Sequence, residues 1–90
     1  MTYTAIRQAM KRAGFPIIVD PDTSSRHCIP TWANSPSHTI EWYEDADNPK
    51  GTVQSLYVKR HGVEDDYQTD YFAGSFARTI KSAIRWASQG

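Results

Sequence analysis

Ninety residues, 39% of them hydrophobic and including three Phe, five Tyr and three Trp, make one compact domain. That aromatic content and a net charge of +0 exclude an intrinsically disordered chain. No run approaches the roughly 20 apolar residues of a membrane span, so the protein is expected to have no membrane partner.

The opening MTYTAIRQAMKRAGF is amphipathic, where a secretory leader would show a continuous apolar run and a small-residue cleavage site. A single cysteine, Cys28, cannot close an internal disulfide, which points to a reducing, cytoplasmic setting. Zero net charge hides a segregation. Arg7, Lys11 and Arg12 near the start and Arg78, Lys81 and Arg85 near the end stand without a single acid. All ten acids lie between Asp20 and Asp70, against only Arg26, Lys50, Lys59 and Arg60. Such a layout predicts a dipolar surface, which bears on partner choice and association rate.

Residues 4–13 are expected to be helical. Ile6, Ala9, Met10 and Ala13 share one face, Thr2 or Thr4 can cap the start, and Gly14 suits a left-handed C-terminal cap. The apolar run 15–19 is flanked by Pro16 and Pro21, so it is compatible with an edge strand and excluded from the middle of a sheet. Residues 20–38 read as a long connection that a short strand over 27–32 would shorten. Three strands are then expected within TIEWYE (39–44), TVQSLYVKR (52–60) and DYQTDYFA (66–73), each alternating with period two. Asn-Pro-Lys-Gly (48–51) is a turn tetrapeptide with proline at its second position, and Gly62 serves the second connection. Ser75 is the expected cap of a last helix, with Phe76, Ile80, Ala83, Ile84 and Ala87 on its apolar face.

The expected fold is therefore α+β: a two-layer sandwich of a three-stranded antiparallel meander with both helices on one face. A short fourth edge strand falls near 15–19 or 27–32, and the order is α-(β)-β-β-β-α.

Chemistry is sparsely marked. His27, Cys28, His38 and His61 lack the paired spacing of a zinc site, and Cys28 has no flanking nucleophile motif. Asp45 and Asp47 share a D-x-D with calcium loops but lack the remaining frame. Glu44, Asp45, Asp47, Asp65 and Asp66 read as solvated turn formers. No glycine-rich phosphate loop is present, and the expectation is a protein without enzymatic activity, metal or cofactor.

With Arg78 and Lys81 placed at the start of the last helix, the α-β-β-β-α order resembles that of double-stranded-RNA-binding domains. The resemblance implies basic residues there gripping phosphates and the first inter-strand loop entering a minor groove. That loop, EDADNPKG, carries three acids and one lysine, which phosphates would repel. A sheet face stacking bases on Tyr43, Tyr57 and Tyr71 meets the same objection from Glu41 and Asp70.

If Ile40, Trp42, Leu56, Val58 and Phe72 face the helices, the opposite face shows Glu41, Tyr43, Val53, Tyr57, Lys59, Tyr67 and Tyr71. A one-residue slip would invert the third strand. Tyrosine-rich mixed surfaces favour protein contacts. The expectation is a small adaptor- or inhibitor-like module, similar in size and style to phage-encoded inhibitors of host defence. It would bind a protein with a basic surface through Tyr43, Tyr57, Tyr71, Glu44, Asp45, Asp47, Asp65 and Asp66. The alternative is a nucleic-acid accessory protein using Arg7, Lys11, Arg12, Arg78, Lys81 and Arg85.

Overall fold

A computed structural model describes residues 1–20 and 28–89. His27 and Arg26 lie outside the described residues. The elements are α1 (Tyr3–Ala13), β1 (Ile17–Val19), β2 (Cys28–Asn34), β3 (His38–Asp45), β4 (Leu56–Arg60), β5 (Ser75–Ala77) and α2 (Ile80–Ala87). The strands form one antiparallel sheet in the order β1-β2-β3-β4-β5, and both helices cover the same face. The α+β class and the flanking helices are as expected. The sheet has five strands, because 17–19 and 28–34 both join it, and this departs from the strand count of double-stranded-RNA-binding domains.

Local signals set α1. The Thr2 hydroxyl accepts the Ala5 amide at 3.1 Å, and Gly14 closes the other end at φ 79°. Its buried face is Tyr3, Ile6 and Met10, while Ala13 is exposed. The inner sheet face supplies Ala33, Ile40, Trp42, Leu56, Val58 and Ala77, which meet Ile6, Met10, Phe15, Ala83 and Ala87 in one core. The turn at 48–51 forms as expected, with the Gly51 amide donating to the Asn48 carbonyl at 2.9 Å.

Two expectations near the end of the chain fail together. Residues 66–73 do not form a strand: Asp66 and Tyr71 exchange backbone hydrogen bonds at 3.0 and 2.9 Å, closing a small loop with Asp70 at φ 55°. Phe72 therefore does not face the helices. Residues 75–77 pair with β4 instead, placing Phe76 opposite Tyr57. The last helix begins four residues later than its apolar spacing suggests, capped by Thr79, whose hydroxyl accepts the Ser82 amide at 3.1 Å. The i, i+4 spacing of Phe76 and Ile80 is helix-like, but strand pairing with β4 decides the conformation of Phe76.

Candidate functional site

Pairing across the sheet builds one row on its outer face. Ile18 stands opposite Trp32, Trp32 opposite Glu41, Glu41 opposite Tyr57, and Tyr57 opposite Phe76. Directly paired side chains of neighbouring strands lie side by side, so the row is continuous across all five strands. Tyr43, two residues beyond Glu41, projects from the same face. The 66–72 loop folds over the end of this row and adds Tyr67 and Phe72. Tyr57 packs at 4.8 Å between centroids on Phe76 and edge-on at 6.2 Å on Phe72, while Tyr67 meets Phe72 edge-on at 6.1 Å.

These rings border a groove of about 350 Å³ whose lining also includes Glu41, Val53, Gln54, Ser55 and Asp65. Tyr43, Tyr67, Phe72 and Phe76 remain 52%, 71%, 48% and 57% exposed. Among the described residues no lysine, arginine or histidine lines the groove.

Asp65 anchors the loop. Its side chain is only 2% exposed, 3.6 Å from the Lys59 ammonium. It accepts the Tyr57 hydroxyl at 2.6 Å and the Ala73 amide at 2.6 Å. The Tyr57 oxygen in turn accepts the Gly74 amide at 2.6 Å. Burial pushes the Asp65 carboxyl up, but the Tyr57 and Ala73 hydrogen bonds and the Lys59 charge outweigh it, holding the group below its ordinary range. Burial, followed by the bond to Asp65, pushes the Tyr57 phenol up to about 12.

The acids expected in solvated turns thus divide. Glu44 takes a two-pronged pair from Arg7, Nε to Oε2 and Nη2 to Oε1 both at 2.9 Å, and accepts the Trp42 indole N–H at 2.8 Å. Burial raises the Glu44 carboxyl, while Arg7 and Trp42 bring it to a net lowering. Glu44 and Asp65 are structural anchors, a correction to their reading as solvated groups. Asp45 accepts the Asp47 amide and Asp66 the Gln68 amide, both as ordinary turn formers. Tyr43 and Tyr57 share the outer face, whereas Tyr71 is exposed but lies outside the groove lining.

On the opposite layer α1 and α2 touch, leaving Lys11, Arg12, Lys81 and Arg85 exposed. Arg7 is committed to Glu44. Arg78 precedes α2 and borders a smaller hollow beside Phe76, so it does not belong to the helix face. Cys28 is exposed, and among the described residues no three His, Cys, Asp or Glu side chains group as metal ligands. His38 accepts or donates at Nδ1 to the Ser37 hydroxyl at 2.6 Å. Burial, then Arg60 and His61, lowers its titration range.

Sequence reasoning missed Phe72 and Phe76 as outer-face residues, because both depend on the path of the 66–74 segment. Trp32, which the 20–38 segment offered as a possible cover for that face, stands on it as a strand residue opposite Glu41. No family model, curated protein or solved structure matches this chain. Among the described residues no helix is long and apolar enough to cross a membrane.

Proposed function

We propose that this protein is a small non-enzymatic binding module, adaptor- or inhibitor-like, that engages another protein through the outer face of its sheet. One observation carries this conclusion: Tyr43, Tyr67, Phe72 and Phe76 crowd around a single groove while staying about half exposed or more. Phenylalanine has no polar atom to reward exposure, and the helices bury the other sheet face. A contiguous apolar patch of this kind is the mark of a contact surface. The acids that remain at the surface near it, Asp45, Asp47 and Asp66, favour a basic partner.

Affinity capture from the native host with Phe72→Ser and Phe76→Ser variants tests it, each variant first checked for an unchanged circular dichroism spectrum. Capture should fall about tenfold or more, as for a central aromatic contact, and should survive Lys81→Ala with Arg85→Ala. Unchanged capture by both serine variants removes the sheet face.

The contact between α1 and α2 supports a second reading, since it brings Lys11, Arg12, Lys81 and Arg85 onto one layer. Nucleic-acid binding there would weaken steeply with salt and disappear when these four residues become Ala.

A further inference from the structure

Arg7 is ion-paired with Glu44 and Lys59 with Asp65. Among the described residues Glu41 has no ion pair, although it occupies the centre of the outer row between Trp32 and Tyr57. Its flanking basic residues are unsuited to it: Lys59 serves Asp65, and Arg78 lies beyond Phe76. The carboxylate is half-buried within the groove lining.

Any partner covering the groove must take water from Glu41. An apolar partner would bury that carboxylate with only the neighbouring Tyr43 phenol, which burial and then Glu41 push up, to offset a cost of several kcal/mol. A nucleic-acid strand could stack bases on the rings, but its phosphates would approach Glu41 and the acids of both neighbouring turns. A cationic side chain satisfies the carboxylate and the rings together. The planar guanidinium suits this site better than an ammonium, because it forks onto a carboxylate while its face lies on an aromatic ring.

We propose that the groove receives an arginine side chain of the partner protein, its guanidinium paired with Glu41 and stacked against Tyr57. The proposal rests on the sheet face being the working surface, and its test separates the two. The full chain is titrated with N-acetyl-Pro-Arg-Pro-amide and followed by NMR, alongside the same peptide carrying citrulline, which keeps the planar shape without the charge. The arginine peptide should shift Trp32, Tyr57 and Phe76 resonances and bind at least about fivefold tighter than the citrulline peptide. Glu41→Gln, folded by its spectrum, should erase that preference. Equal binding of the two peptides in the groove, or a preference that survives Glu41→Gln, overturns the arginine assignment and leaves the sheet face standing. Shifts confined to the helices, or none at millimolar peptide, also overturn the arginine assignment. The sheet face itself falls only if capture is unchanged by Phe72→Ser and Phe76→Ser.

Discussion

The Tyr57 hydroxyl donates to Asp65 at 2.6 Å and accepts the Gly74 amide at the same distance, so one phenol on β4 joins both ends of the 65–74 loop. This bridge lets the chain leave the sheet after β4, close the loop at 66–71 and return as β5. It also holds the floor of the aromatic groove.

Tyr57→Phe keeps the ring packing and removes the bridge. Gly74 then has a half-buried amide without its acceptor, and Asp65 loses a donor. The expected cost is about 1–3 kcal/mol. Urea unfolding measures it, and amide exchange should accelerate at Ala73 and Gly74 while the β2–β3 ladder stays protected.

Acid should destabilise the fold through Asp65 and Glu44. Both carboxyls are held below their ordinary values of 3.8 and 4.5. A depressed folded value means that the unfolded chain takes up protons first as pH falls. The stability these groups contribute is therefore full above the ordinary values and is lost as pH drops through the folded ones. Asp65→Asn should lower stability at neutral pH and flatten the decline below about pH 4, as read from thermal melts across pH.

At the alkaline end the sign reverses. Tyr57 titrates at about 12 against an ordinary 10.0, so its contribution is present below pH 10 and is lost as pH rises through about 12. Spectrophotometric titration of the phenols should show a late-ionising step that Tyr57→Phe abolishes.

Gly51 is required by Tyr3. A Cβ at position 51 would lie 2.5 Å from the Tyr3 hydroxyl oxygen and 2.7 Å from its ring carbon, against a side chain that is buried and accepts the Asp45 amide at 2.9 Å. Gly51→Ala should cost about 1–3 kcal/mol in denaturant unfolding, the range for overpacking. Combining it with Tyr3→Leu should give less than the sum of the two single effects, because both act on one contact.

The parts of this fold that are legible in the sequence are those whose causes are local or follow a strict period. Thr2, Gly14 and the spacing of Ile6 and Met10 define α1 within a few turns of chain. Proline and glycine at 49 and 51 define their turn. Alternation puts Ile40, Trp42, Leu56 and Val58 inside, and by the same rule Tyr43 and Tyr57 outside.

Residues 66–73 alternate as well as any of these, yet they stay out of the sheet. Alternation says which side chains share a face, not whether β4 will accept that segment as its neighbour. A three-residue strand further on takes the place, drawn there by the Tyr57 contacts with Gly74 and Phe76. The carboxylates make the same distinction. Glu44, Asp65 and Glu41 are chemically alike along the chain, but Arg7 stands 37 residues from Glu44 in sequence and Tyr57 8 from Asp65. The sequence alone determined that this chain carries acid and aromatic residues between basic ends. Only the tertiary structure decided which acids are neutralised within the fold and which one is left among the rings. The strength of a carboxylate's interactions depends on the groups brought within a few ångströms of it, and folding brings them there.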